Sequence, residues 1–253
     1  MPDNTLRVLQ ITDCHVSAAA DTPYRGLNAR AEFEKLLPAA RTWSPDLLLL
    51  TGDLAEDGSD EATAWLAARL GEFGVPMLAV PGNHDEAEVL AQHFPLSSVD
   101  APLVHDVGDW RLVLLNSARR RKIDGHLDDD QLDALAAAVN PGSGPAPDHA
   151  LVALHHQPLP VGSPWIDRYP LQSPERFWSA LEGSRCRAVC WGHVHQALEL
   201  ETGQVNALAG PSTAANSLPG MEKFTLDPRG PACRGLLLGP SGQVSTEVIY
   251  AEG

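Results

Sequence analysis

None of the apolar runs in the sequence, Leu47–Leu50 among them, approaches the roughly 18 residues that a membrane-spanning helix requires. The N-terminus, Met-Pro-Asp-Asn, also lacks the basic and apolar segments of a secretory signal, so the expected location is cytoplasmic. Cationic side chains are scarce: 18 Lys+Arg stand against 33 Asp+Glu, a formal net charge of −15. A broad nucleic-acid surface needs a basic face, and anionic membranes repel an acidic chain, so neither class of partner is expected. An anionic substrate would need a local source of positive charge. The cysteines, Cys14, Cys186, Cys190 and Cys233, include no CxxC pair. With 253 residues and 43% hydrophobic content the chain can build a full core without disulfides, and all four read as reduced thiols.

What is present is an alternation of short apolar runs with amphipathic ones. Leu6–Thr12, Asp46–Thr51, Met77–Val80, Trp110–Asn116, Leu151–Leu154 and Ala188–Cys190 read as strands. The unbroken apolar character of Leu47–Leu50 suits a strand buried on both faces. Ala29–Leu37 and Ser59–Phe73 read as helices, the first ending or kinking at Pro38 and the second capped by Ser59 or Asp60. Asp128 with Gln131 suggests a capping box for a helix over 129–139, and Ser173-Pro174 a cap for one reaching Glu182. After residue 196 only short strands remain: Leu198–Leu200, Val205–Leu208, Gly235–Leu238 and Val244–Ile249. Such alternation implies a layered α/β fold with a strand-rich C-terminal portion. The stretch 141–147 (PGSGPAP) reads as a joint within one fold rather than a linker, because the alternation resumes beyond it; a single domain over 1–253 is expected.

Five polar clusters each follow a strand: Asp13-Cys14-His15, Gly52-Asp53, Gly82-Asn83-His84-Asp85, His155-His156 and Gly192-His193-Val194-His195. Taken singly, each reads as a turn, since Gly and Asn tolerate positive φ. Taken together, in order and each at a strand end where α/β folds build sites, they point to a metal centre. Asp, Asn and His form an oxygen and nitrogen ligand set suited to Mn, Fe or Zn. In Asp13-x-His15 and His193-x-His195 an extended strand end would present both side chains on one face.

The ordered signature D-x-H…G-D…G-N-H-D/E…H…G-H-x-H resembles that of the calcineurin-like metallophosphoesterases. It stands here at 13–15, 52–53, 82–85, 155 and 192–195. The segments LQITDCH, PDLLLLTGDLAEDGS, VPGNHD, LHHQPLPVGSPWID, GHVHQALEL and GPST are similar, in order, to the bacterial class III cyclic nucleotide phosphodiesterases, and they span residues 9 to 213. The resemblance implies a four-layer αββα sandwich and two metal ions, Fe and/or Mn with Zn as an alternative. Asp13, His15, Asp53 and His195 would hold one metal and Asp53, Asn83, His155 and His193 the other, with Asp53 shared. It further implies hydrolysis of 3′,5′-cyclic AMP or a related cyclic nucleotide to the 5′-monophosphate by a hydroxide shared between the metals. Asn83 and His84 would contact the phosphate, and His84 would protonate the leaving oxygen. Many relatives carry G-D-x-x-D-x-G, whose second Asp orients the histidine; here Glu56 occupies that offset and Asp57 follows, so either, or neither, could hold His84, and the role is assigned to no residue.

Other residues admit two readings. His156 is either a donor behind the site or a residue at its edge, and it is a candidate for substrate contact. Trp165, in the proline-rich segment after His155, is either part of a rigid loop or a platform for a nucleobase. Cys14 reads as a small packed residue. Arg119-Arg120-Arg121-Lys122 is the only basic run: a solvated loop, or an electropositive lip. For the whole chain, a phosphodiesterase is expected. Alternatives within that class act on 2′,3′-cyclic nucleotides, glycerophosphodiesters or nucleotide pyrophosphates; the alternative outside it is a non-catalytic metal-binding scaffold. Monomer and dimer are both compatible with the sequence.

Overall fold

The computed structural model describes residues 4–98, 101–140 and 146–251. The chain begins β1 (Leu6–Ile11), β2 (Pro23–Tyr24), β3 (Leu27–Asn28), α1 (Ala29–Thr42), β4 (Leu47–Leu50), α2 (Asp60–Gly71), β5 (Met77–Ala79) and α3 (Ala87–Leu90). It continues β6 (Leu103–Val107), β7 (Trp110–Leu114), α4 (Asp129–Val139), β8 (His149–Ala153), α5 (Pro164–Asp167), α6 (Pro174–Ala180) and β9 (Cys186–Trp191). Four strands close it: β10 (Leu198–Thr202), β11 (Val205–Ala209), β12 (Ala232–Leu238) and β13 (Val244–Tyr250).

These strands form two large sheets, in the orders β13-β12-β1-β4-β5 and β10-β11-β9-β8-β7-β6. β1, β4 and β5 are parallel in the first, and β7, β8, β9 and β11 in the second. The strand-rich C-terminal portion is divided between them. β12 pairs with β1 and β11 pairs with β9, which ties the end of the chain to its beginning.

β4 shows how sequence dictates the layering. Successive strand side chains point to opposite faces. Leu47 and Leu49 therefore pack with Trp110, Leu112 and Leu151 between the sheets. Leu48 and Leu50 pack outward against Phe33 and Leu36 of α1 and Leu66 and Leu70 of α2. The second sheet repeats the pattern: Val113, Val152 and Val189 meet Leu132 and Leu135 of α4 and Phe177 of α6. Three apolar layers separate four layers of structure, helix–sheet–sheet–helix, as expected. Each fully buried leucine contributes about 1.5–3 kcal/mol.

Local expectations fared unevenly. Ser59 and Asp128 cap α2 and α4, accepting from the backbone N–H of Ala62 and Gln131. The Gln131 side chain does not complete a capping box; its amide donates to Asn116 O at 3.1 Å. α1 runs through Pro38 to Thr42. Pro38 and Glu34, whose carbonyl loses its helical donor there, are both exposed, while buried Ala40 and Trp43 hold the last turn on the core. Ser173 makes no side-chain cap and takes φ 52°. β6 and the β2–β3 hairpin were not anticipated. Of the stretch 141–147, residues 141–145 lie outside the described residues.

Candidate metal centre

The parallel strands of both sheets deliver their C-terminal ends to one edge, where the polar clusters meet. Asp13 and His15 follow β1, Asp53 follows β4, Asn83 and His84 follow β5, His155 follows β8, and His193 and His195 follow β9. The loops after β1 and β4 are zipped together by Asp13 N–H to Gly52 O (2.9 Å), His15 N–H to Asp53 O (3.0 Å) and Glu56 N–H to Val16 O (2.8 Å). The extended geometry expected at Asp13-x-His15 and His193-x-His195 is absent. Asp13, His15, Asp53, His193 and His195 all sit at positive φ, between 45° and 68°, a region that costs a non-glycine residue about 1–3 kcal/mol. Left-handed turns, not strand alternation, bring these side chains together.

They converge closely. His15 Nε2 lies 3.2 Å from His195 Nε2 and 3.8 Å from Asp53 Oδ2. His155 Nε2 lies 3.3 Å from the same Asp53 oxygen, and His195 Nε2 3.3 Å from Asp13 Oδ1. Asp13, His15 and His195 form one cluster and His155, His156 and His193 another, while Asp53 groups with Asp13 and His155 on one hand and with His15 and His84 on the other. The second Asp53 oxygen, Oδ1, accepts the His84 backbone N–H at 2.9 Å. Close approach is possible because glycines precede the ligands. A Cβ on Gly82 would stand 2.1 Å from Asp53 Oδ1, and one on Gly192 would stand 2.1 Å from Thr12 Oγ1.

Each histidine is oriented from behind. Nδ1–H groups donate from His15 to Glu56 Oε2 (2.6 Å), from His155 to Thr51 O (2.7 Å) and from His195 to Ala215 O (2.7 Å). That fixes the tautomer and leaves Nε2 as the free lone pair. His193 is reversed: its Nε2 meets Tyr169 O at 3.1 Å, leaving Nδ1. Tyr24, from the β2–β3 hairpin, stacks on the His15 ring at 4.0 Å and 9°. Ser212 Oγ donates to Asp13 O at 2.7 Å while accepting from the N–H groups of Ala214 and Ala215. Asp85 accepts the backbone N–H groups of Leu54, Ala55 and Gly82, stitching the β4 and β5 loops.

Charge is divided among these groups. Burial pushes both Asp13 and Asp53 up, but the neighbouring histidines outweigh it, His195 for Asp13 and His155 for Asp53, and hold both below the usual carboxylate range. Burial depresses His155 as well; Asp53 reverses this and raises it to about 9. Burial and the Asp53 charge lift Asp85 to about 6. Burial carries His15, His156 and His193 down. His84 is opposed by burial yet raised by Asp53 and Glu56.

A profile of the calcineurin-like phosphoesterase family matches residues 6–197, from β1 past His195. The chain belongs to the calcineurin-like phosphoesterase family. Phosphoesterases of this family are hydrolases that use a dinuclear metal centre. A Pseudomonas aeruginosa protein named 3′,5′-cyclic adenosine monophosphate phosphodiesterase CpdA is 33% identical over 249 residues, covering 97% of this chain and 90% of that protein. Its namesake from Escherichia coli K12 is 32% identical over 248 residues, covering 96% and 89%. The crystal structure of a dimetal phosphatase from Danio rerio superposes with TM-score 0.69 at 15% identity, covering 98% of this chain and 99% of that one; at that identity the likeness is one of fold.

The donor set fits two cations. Asn83 Oδ1 and His155 Nε2 are buried without a hydrogen-bond partner, and two buried carboxylates share one small volume, an arrangement that cations stabilise and an empty pocket would not. Glu56 and Asp57, left as alternatives by sequence, take different duties. Both the Glu56 carbonyl and its Oε2 lie 3.2 Å from His84 Nδ1. Asp57 instead accepts from Ala18 N–H and Ser59 Oγ. His156 does not fit the expected substrate contact. It is fully buried, with Nδ1 2.9 Å from Ser117 Oγ and Nε2 3.0 Å from Ile123 O, so no ring nitrogen is free. Trp165 stands beside His195 and Phe224, its ring 6.3 Å and 5.3 Å from theirs. Cys14 is wholly buried in the core. Tyr24, Ser212 and Phe224 were missed by sequence reasoning; of these only Ser212 had a signal, the family-like segment GPST.

Proposed function

We propose that the chain, acting as one domain, hydrolyses the phosphodiester of a cyclic nucleotide, 3′,5′-cyclic AMP foremost, to the 5′-monophosphate. The observation that carries this is the pair of histidine clusters with Asp53 Oδ2 between His15 and His155, and His84 held beside them. Asp13, His15, Asp53 and His195 would hold one metal and Asp53, Asn83, His155 and His193 the other, with Fe and/or Mn as the pair and Zn as the alternative. Bound there, the metals supply Lewis acidity toward phosphoryl oxygens and lower the pKa of water toward neutrality. The names of the Pseudomonas and Escherichia relatives support the substrate.

The chain's own residues supply positioning and a proton. The Nδ1 edge of His84 faces Glu56, so its Nε2 edge is the one available to the leaving oxygen. A water oxygen bonds to phosphorus as the P–O3′ bond breaks, His84 gives its proton to O3′, and the proton the water sheds returns to His84, leaving a 5′-monophosphate and a 3′-hydroxyl. His156, clamped between Ser117 and Ile123, braces the second cluster rather than touching substrate. Trp165 is retained as a base-stacking residue on the His195 side. The acidic body supports a small substrate over nucleic acid or membrane, and four buried free thiols support a cytoplasmic setting. No helix among the described residues is long and apolar enough to cross a membrane.

The test is metal analysis beside a hydrolysis panel. Protein reconstituted with Mn or Fe should hold two metals per chain and convert cyclic AMP to 5′-AMP. Protein that cleaves an aryl phosphodiester while leaving cyclic AMP intact would refute the substrate and keep the hydrolase.

A further inference from the structure

The single basic run of this acidic chain follows β7. Its backbone closes a tight turn, with Lys122 N–H donating to Arg119 O at 3.0 Å and Arg121 at φ 62°. The base of the loop is fixed to the metal centre. Ile123 O meets His156 Nε2 at 3.0 Å, and His126 N–H donates to Ser117 O at 2.9 Å. Arg119 is committed to the loop itself through an ion pair with Asp124.

Arg120 and Arg121 do nothing comparable. Both are exposed, and neither has a carboxylate partner among the described residues. Arg41, Arg69, Arg111, Arg176, Arg229 and Arg234, by contrast, are all paired. Other arginines also lack a carboxylate, Arg25 lying over Tyr24 and Phe224 and Arg168 donating to Pro164 O, but Arg120 and Arg121 differ from these in position. With Arg119 they line a cavity of about 490 Å³ that Asn83 and His84 also line. That volume is in the range of small-molecule sites, about 300–1,000 Å³. Asp85, Glu86 and Glu88 line the same space, so without Arg120 and Arg121 the one arginine left on the approach to His84 would be Arg119, already paired with Asp124.

We infer that Arg120 and Arg121 form a cationic wall that draws an anionic phosphodiester into this cavity, setting KM and leaving the chemical step to the metal centre and His84. The inference rests on the proposed phosphodiesterase reading and assigns that site its source of attraction beyond the metals. Charges at a cavity mouth act over about one Debye length, roughly 10 Å at 0.1 M salt. They raise local anion concentration without touching the transition state.

The test is steady-state kinetics of the metal-loaded enzyme with the double variants R120S/R121S and R120K/R121K, from about 20 mM to about 0.5 M salt. The serine pair should raise KM for cyclic AMP about five- to tenfold at low salt, converge to within about twofold of wild type at high salt, and keep kcat within about twofold. The lysine pair, which keeps the charge, should hold KM near wild type. An unchanged KM in the serine pair at low salt would overturn the inference. So would an increase of equal size at every salt, or a loss in the lysine pair as large as in the serine pair. If wild type leaves cyclic AMP intact, the same comparison with bis(4-nitrophenyl) phosphate, also a monoanion, tests the wall independently of the nucleotide.

Discussion

Glu56 serves two histidines with one side chain. Its carboxylate accepts from His15 at 2.6 Å and lies 3.2 Å from His84, so a candidate ligand and the candidate acid take their orientation from the same anion. Hydrogen-bond partners behind metal-binding histidines are worth about 10–100-fold in metal affinity. Glu56→Gln keeps the length and an acceptor oxygen but removes the negative charge that both rings face through Oε2. Metal retention after dialysis should fall by about that factor, and kcat should fall with it even when metal is restored to saturation. Asp57→Asn, which touches neither histidine, should leave both unchanged. Metal content by mass spectrometry and kcat at saturating Mn check both; equal behaviour of the two variants would refute the assignment to Glu56.

At the scale of elements, the site is made by loops that sheet geometry aligns and tight backbone contacts compress. Gly82 carries the clearest consequence. A methyl group there would fall 2.1 Å from Asp53 Oδ1, 2.3 Å from the Asp53 backbone nitrogen and 2.8 Å from Asp53 Cγ, and the loop cannot yield without moving the carboxylate between His15 and His155. Gly82→Ala should fold, since β4 and β5 are unaffected, yet bind metal at least about tenfold more weakly by titration. Near-native affinity would show that the loops are softer than their hydrogen bonds imply. Much of this scale was legible beforehand. The four leucines of β4 announce burial on two faces, and Asp, Asn and His after successive strands announce a shared edge. What escaped had no periodic or chemical signature. Tyr24 reaches His15 from a two-residue strand, Phe224 comes from a long irregular loop, and the left-handed backbone at Asp13 and His195 is invisible in residues that ordinarily avoid it. Pro38 does not end the helix, because both it and Glu34 lie on the exposed side.

Across the whole molecule, metal, proton and fold are linked. A ligand that binds only the folded chain stabilises it by about 2.7 kcal/mol per site at a hundred times its Kd. For a chain of this size, each kcal/mol shifts Tm by about 2–4 °C. Complete chelation should therefore lower Tm by about 10 °C or more in scanning calorimetry; a change below about 2 °C would mean that the fold does not depend on the site. The direction with pH follows from His155. Burial opposes its charge, but Asp53 raises it to about 9, so at neutral pH a metal entering the second cluster must displace a proton. Metal retention should weaken as pH falls below about 9, by up to about tenfold per unit for each proton displaced, in chelator competition.

The left-handed backbone at Asp13, His15, Asp53, His193 and His195 also bears on how this protein can age as a lineage. Glycine would be more comfortable than the present residue at each of those five positions, so selection for catalysis and selection for folding pull in opposite directions there through the backbone, as they do through the unpartnered polar atoms at Asn83 and His155. Once catalysis ceased to matter, substitutions to glycine or asparagine would accumulate at these points first, while the leucines of β4 stayed in place. A descendant of that kind would be a sturdier molecule with the same silhouette, recognisable by its silence at five turns.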